Sequence, residues 1–115
     1  MLVRLVSPDG SLVIPLARPL TLIGRNADCD VHLASSRVSR RHCCLALDGD
    51  GVVVRDLGST NGTWVGGRRV EEGLLRPGDE LGIAHLRFHL VMIDFAVGLE
   101  PEPTRWDEPD VNPPD

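Results

Sequence analysis

No stretch of this 115-residue chain sustains an apolar period of 3.6 residues, because glycine or proline interrupts it every few positions. What remains is a series of short apolar or alternating runs: Leu2–Val6, Ser11–Leu16, Leu20–Ile23, Asp30–Leu33, His42–Leu47, Gly51–Asp56, Thr63–Val65, Arg68–Val70, Glu80–Ala84 and Leu86–Phe95. In the last run Leu86, Phe88, Leu90 and Met92 share one face and Arg87 and His89 the other, the alternation of a half-buried strand. Asp48-Gly49-Asp50 and Val65-Gly66-Gly67-Arg68 read as tight hairpin turns. About ten short strands in a chain of this length predict an all-β sandwich. The chain is long enough for one core without staples, and at 42% hydrophobic and 25% charged residues it is not disordered throughout.

The pattern changes after Gly98. Residues 98–115 hold six carboxylates against Arg105 alone, and five prolines, with Leu99, Trp106 and Val111 as the only large apolar side chains. Such a segment buries too little surface to offset its ordering entropy, so the expectation is a folded domain over 1–97 and a flexible acidic tail over 98–115. The formal charge of −5 resides in that tail, since residues 1–97 carry equal numbers of acids and bases. A neutral domain with an acidic tail argues against binding a nucleic acid. No apolar run approaches the roughly 20 residues of a membrane span, and Met1–Gly10 lacks the layout of a signal peptide. Cys29, Cys43 and Cys44 cannot all pair, two are adjacent, and no CxxC spacing occurs. Reduced thiols in a cytoplasmic protein are the expectation, with neither metal nor cofactor.

The loops are more distinctive than the strands. Gly24-Arg25, the stretch Ser36-Arg37-Val38-Ser39-Arg40-Arg41-His42, and Gly58-Ser59-Thr60-Asn61-Gly62-Thr63 all fall at strand ends. A sandwich gathers alternate loops at one end, where arginine forks, hydroxyls and loop N–H groups together suit a phosphate monoester dianion. The Asn61 carboxamide both donates and accepts, which suits a peptide main chain.

In this order and spacing, Gly24-Arg25, Ser39-x-x-His42 and Asn61-Gly62 resemble the signature of the forkhead-associated (FHA) domain. The likeness extends from about Leu2 to Phe95. It takes in Asn26-x-x-Cys29-Asp30-Val31, Leu57–Thr63 and the Leu75-x-Pro77-Gly78-Asp79 turn. The resemblance implies an eleven-stranded, antiparallel-type β-sandwich whose loops bind phosphothreonine peptides without catalysis, with partners among Ser/Thr kinases or their substrates. Carried over by position, Arg25 and Ser39 would hold phosphate oxygens, with Arg40 assisting and Thr60 adding a loop contact. Asn61 would bond the peptide backbone, and Arg37 would read the side chain three residues after the phosphothreonine. Gly24, His42 and Gly62 would support the site.

Rival readings of the same residues are weaker. A Ser39–His42–Asp triad lacks any visible oxyanion device. His85 and His89, four apart and on one face if both lie on a strand, lack a third ligand for a metal. Trp64 reads as core or half-buried packing, and Arg41 as a surface charge. Other binding classes are a scaffold that ignores phosphorylation and a nucleic-acid surface built on Arg37, Arg40 and Arg41. Thr104, the tail's one threonine, precedes Asp107 by three residues and is a candidate phosphorylation site and self-ligand. An acidic proline-rich spacer is the simpler reading of the same segment.

Overall fold

The computed structural model describes residues 2–93, which form eleven strands and no helix. In chain order these are β1 (Leu2–Val6), β2 (Val13–Pro15), β3 (Leu20–Gly24), β4 (Val31–His32), β5 (Cys43–Asp48) and β6 (Gly51–Asp56). They are followed by β7 (Thr63–Val65), β8 (Arg68–Arg69), β9 (Glu72–Leu75), β10 (Glu80–Ile83) and β11 (Leu86–Ile93). One sheet has the order β2-β1-β11-β10-β7-β8 and the other β4-β3-β5-β6-β9. Period-2 alternation turns one face of each sheet inward: Val3 and Leu5 from β1, Phe88 and Leu90 from β11, Leu45 from β5, and Val52 and Val54 from β6 are all buried. Each such aliphatic or aromatic side chain contributes about 1.5–3 kcal/mol by leaving water.

Nine of the ten runs read from the sequence centre on a strand that begins or ends within two residues of the expected bounds, and the last ends at Ile93 among the described residues. The strand that apolar patterning did not mark is β9. Its four residues, Glu72-Gly73-Leu74-Leu75, bury only Leu75, and the segment is a strand because β6 pairs with it from Val52↔Leu75 to Arg55↔Glu72. That strand brings the count to the eleven the family resemblance implies. Pro15 falls on the edge strand β2, where its missing N–H leaves no ladder bond unmade.

One pairing departs from the antiparallel rule. β4 runs parallel to β3 with Ile23 opposite Val31 and Gly24 opposite His32. The parallel contact sends the ends of both strands to the same edge of the sandwich, so Gly24-Arg25 and the loop after Leu33 leave side by side.

All three cysteines are free. Cys43 is fully buried in β5, and burial pushes its thiol up to about 12. Cys29 is also buried, and burial together with the Asp28 carboxylate raises its pKa. Neither is a thiolate nucleophile at neutral pH.

Candidate functional site

Four connections meet at one end of the sandwich: 25–30 after β3, 33–42 before β5, 57–62 between β6 and β7, and the Ala84-His85 turn between β10 and β11. The long 33–42 loop is anchored by Val38, whose side chain is fully buried in the core. Around that anchor the backbone is tied to its neighbours. Arg25 N–H donates to the Ser39 carbonyl at 3.0 Å and Asn26 N–H to the Arg40 carbonyl at 3.1 Å. The Arg25 side chain is oriented by its Nε–H, which donates to the Val38 carbonyl at 2.9 Å, while the residue as a whole stays exposed. Its terminal amino groups are therefore presented at the surface.

Ser39 and the 57–62 loop are joined directly. Thr60 N–H donates to Ser39 Oγ at 3.1 Å, so the hydroxyl is an acceptor there and keeps its own proton to give elsewhere. Asn61 Nδ2 donates to the Arg37 carbonyl at 2.8 Å, leaving Oδ1 and the second N–H of an exposed carboxamide. Beneath them lies His42, fully buried. Ser39 N–H donates to its Nδ1 at 3.1 Å, so Nδ1 carries no proton and the hydrogen is on Nε2. Nε2 then donates to the Gly62 carbonyl at 2.7 Å. The same carbonyl accepts Ala84 N–H at 3.0 Å. The imidazole thus ties the 33–42 loop to the 57–62 loop, and the Gly62 carbonyl extends the tie to the β10–β11 turn.

Two glycines are fixed by this geometry. A Cβ on Gly24 would stand 2.1 Å from the Arg40 carbonyl oxygen, a clash with backbone that no side-chain rotation relieves. Gly62 has φ +90°, and a Cβ there would also meet Arg69 Nε at 2.8 Å and Trp64 Nε1 at 2.9 Å. Gly24→Ala is expected to cost about 1–3 kcal/mol of stability by forcing the 25–30 and 33–42 loops apart, as an urea titration would show. An unchanged midpoint would mean the loops part freely.

The 57–62 loop has a scaffold that sequence reading missed. Asp56 Oδ2 accepts Gly58 N–H and Ser59 N–H, each at 3.0 Å. Its Oδ1 accepts the Ser59 hydroxyl at 2.5 Å and the Thr63 hydroxyl at 2.6 Å. Ser59 Oγ in turn accepts Gly62 N–H at 3.0 Å. The Asp-x-Gly-Ser spacing is the available signal, since a carboxylate that caps N–H groups two and three residues on makes an Asx-type turn. Arg69 contributes from β8, its Nη2 donating to the Ser59 and Thr60 carbonyls at 3.3 Å each. Nothing in the local sequence marks Arg69.

Partial burial alone would raise the Asp56 pKa, but the hydrogen bonds from Ser59, Thr63 and Gly58 outweigh it and hold the carboxyl below its ordinary value. A folded-state pKa below the unfolded one gives stability that is complete above the ordinary carboxylate range, about 4, and is lost as pH falls through the lower folded value. Asp56→Asn is expected to lower stability at neutral pH by about 1–2 kcal/mol and to flatten the loss of stability below pH ~4. Denaturant midpoints of both proteins across that range check this. Parallel curves would show that Asp56 does not carry the acid sensitivity.

The charges are distributed unevenly. Arg18, Arg41, Arg55 and Arg87 each have a carboxylate within 4 Å, at Asp30, Asp28, Glu72 and Glu80. Arg25, Arg37 and Arg40 have none among the described residues, and neither do Arg4, Arg68, Arg69 and Arg76 on the strands and the β9–β10 turn. Three arginines at the loop end are therefore uncompensated, beside donors from Ser39, Thr60 and Asn61. Arg37 and Asn61 also wall a recess of about 320 Å³ that passes Trp64 to His85 and Arg87.

The structure brings together Gly24, Arg25, Arg37, Ser39, His42, Thr60, Asn61 and Gly62. Arg40 joins through its carbonyl, which accepts Asn26 N–H and the Cys29 thiol, while its side chain is exposed. Arg41 turns to Asp28 at 3.5 Å, in keeping with a surface role. Trp64 is half-buried and donates Nε1–H to the Asn61 carbonyl at 3.2 Å. The shared face expected of His85 and His89 does not exist, because His85 belongs to the β10–β11 turn and only His89 to a strand. Thr104 and the 98–115 segment lie outside the described residues.

The two sheets thus carry loop-borne arginines, hydroxyls and the Asn61 carboxamide at one end of a β-sandwich, a cationic surface rich in hydrogen-bond donors. The chain belongs to the FHA domain family, whose sequence profile matches residues 21–84. It is 38% identical over 86 residues to the glycogen accumulation regulator GarA of Mycolicibacterium smegmatis, covering 75% of this chain and 53% of GarA. The chain thus spans about half the length of that relative. Among solved structures, one determined for phosphothreonine-dependent FHA domain interactions superposes with a TM-score of 0.73 and 35% identity, over 82% of this chain and 99% of the other. The N-terminal FHA domain of Saccharomyces cerevisiae RAD53, in complex with a phosphothreonine peptide, gives 0.67 and 28% over 87% and 100%.

Proposed function

We propose that this chain is a non-catalytic phosphothreonine-peptide binding module in Ser/Thr kinase signalling, with residues 1–97 as the binding domain. The observation that carries the reading is the group of uncompensated arginines, Arg25, Arg37 and Arg40, set among hydroxyl and amide donors. A doubly charged phosphate with three acceptor oxygens neutralises such a cluster and satisfies its donors at once. Arg25 and Ser39 take phosphate oxygens, with Arg40 and Thr60 beside them. Asn61 uses its free carboxamide groups on the ligand backbone, and Arg37 faces the residues C-terminal to the phosphothreonine. The FHA structures determined with or for phosphothreonine ligands support the phosphothreonine reading.

The test is an oriented phosphopeptide library. Phosphothreonine peptides should bind and their unphosphorylated forms should not. Replacement by phosphoserine should cost about 1 kcal/mol, roughly fivefold, for the loss of one methyl contact. Equal binding of phosphorylated and unphosphorylated forms would remove the reading.

A second reading has one observation in its favour. Leu20, Ala46, Val53 and Leu74 stand opposite one another across β3, β5, β6 and β9, an apolar row on the outer face of that sheet. Leu20 and Leu74 are exposed. Such a row suits a protein contact that does not depend on phosphate. Phosphatase treatment of a captured partner separates the two readings, since only loop-end binding is lost.

A further inference from the structure

The recess beside Asn61 does not end at the β10–β11 turn. His85 and Arg87 form its far wall and are also the near wall of a second, larger recess of about 510 Å³. The second recess lies between the β10–β11 turn and the β1–β2 connection. Leu12, Leu86 and Phe88 line it, with Ser7, Asp9 and Ser11 along its rim. Leu12 is 41% exposed, Leu86 half-buried and Phe88 fully buried, so the recess has an apolar side and an apolar floor.

Both walls are preformed. On one side Asp9 Oδ1 accepts the Ser7 hydroxyl at 2.8 Å, Ser11 N–H at 3.0 Å and the Ser11 hydroxyl at 2.7 Å. Ser7 Oγ accepts Leu12 N–H at 2.9 Å, which fixes Leu12 at the mouth. The hydrogen bonds from Ser11 and Ser7 hold the Asp9 carboxyl down at about 2, so the rim is anionic at neutral pH. On the other side Ala84 has φ +55°, the only non-glycine residue at positive φ among those described. Its N–H is bonded to the Gly62 carbonyl, the acceptor that also holds His42. The wall of the second recess is thus attached to the loop that carries Thr60 and Asn61.

We propose that the second recess is a secondary anchor site for the same phosphopeptide, taking one large aliphatic or aromatic side chain from its C-terminal flank. This rests on the phosphothreonine reading above, and the continuity of the two recesses through His85 and Arg87 names the occupant. A chain leaving the phosphate loops past Asn61 and Arg37 runs along the first recess and meets the second at the His85 and Arg87 side chains they share. The two recesses differ in chemistry. The first presents Arg37 and Arg87, and the second an apolar floor under the Asp9 carboxylate, so an acidic side chain is disfavoured at the anchor position. Rigid walls spare the binding step most of its ordering cost, which lets a single side chain register in affinity.

The experiment uses the full chain and a phosphothreonine peptide in two lengths. The short form ends about three residues after the phosphothreonine. The long form continues for about five more, with leucine, alanine or glutamate scanned through the added positions, a span of about 3.3 Å per residue in an extended chain. One register of leucine should tighten binding by about 3- to 10-fold over alanine at the same position, with glutamate weaker than alanine. In Leu12→Asp, an exposed substitution, that gain should vanish while the short peptide binds as it does to the parent. Absence of a leucine gain at every position, or a gain that persists in Leu12→Asp, overturns the anchor while leaving the phosphothreonine site intact. Failure of the short phosphopeptide to bind overturns both.

Discussion

Arg25→Ala is expected to weaken phosphothreonine-peptide binding by about 2–4 kcal/mol, roughly 30- to 1000-fold, with little change in the fold. The two parts of this expectation have separate grounds. Arg25 is exposed and makes one side-chain hydrogen bond, to the Val38 carbonyl, so its removal takes no apolar side chain from the core. That one bond nonetheless aims the guanidinium, because Nε is used on the protein and the terminal amino groups are left for a ligand. Alanine leaves a phosphate dianion without its two-pronged, charge-assisted donor. Lysine is a stricter comparison, since a single ammonium cannot hold the Val38 carbonyl and two phosphate oxygens together, and Arg25→Lys should recover only a small part of the loss. Calorimetric titration of parent and variants, with thermal melts alongside, checks both halves. Unchanged affinity in Arg25→Ala would place the phosphate elsewhere.

His42→Ala is expected to cost about 2–4 kcal/mol of folding stability and to weaken the ligand site as well. The imidazole is fully buried, so its loss opens a void. It also strands Ser39 N–H, which has no other partner, and takes one of two donors from the Gly62 carbonyl. The loss of affinity is indirect: His42 cannot touch a ligand, yet without it Ser39 and the Thr60–Gly62 segment are no longer held in register. His42→Gln keeps an acceptor and a donor on one side chain and should restore part of both quantities. Urea denaturation and peptide titration of the two variants give the comparison. A His42→Ala protein as stable as the parent would show that the loops are braced by other contacts.

Much of this architecture is legible in the sequence because strands announce themselves through alternation and turns through glycine. Leu86 to Met92 reads directly as a half-buried strand, and the Asp48–Gly51 and Val65–Arg68 pairs close the hairpins that their glycines predict. β9 is not legible, since Glu72-Gly73-Leu74-Leu75 has no pattern of its own and becomes a strand by pairing with β6. The residues that meet at the loop end are legible as a set through Gly24-Arg25, Ser39-x-x-His42 and Asn61-Gly62. Their supports were less so. Asp56, Ser59 and Thr63 are polar residues in a polar loop until the fold buries two of them around one carboxylate. Val38 reads as one apolar residue in a basic stretch, although it is the plug that seats the loop.

The sequence by itself determined that this chain builds short strands around one aliphatic core, and that its arginines and hydroxyls collect at strand ends. Backbone periodicity and turn chemistry are local properties, readable a few residues at a time. Tertiary structure alone decided which arginines remain uncompensated. Arg41 and Arg87 find Asp28 and Glu80 within reach, while Arg25, Arg37 and Arg40 find no carboxylate among the described residues. It also decided that one buried imidazole reaches from His42 to Gly62, 20 residues on, while holding Ser39, and that the Ala84-His85 turn brings a second recess up to the first. Charge compensation and loop convergence depend on distances between segments far apart in the chain, and only the packed sandwich sets those distances.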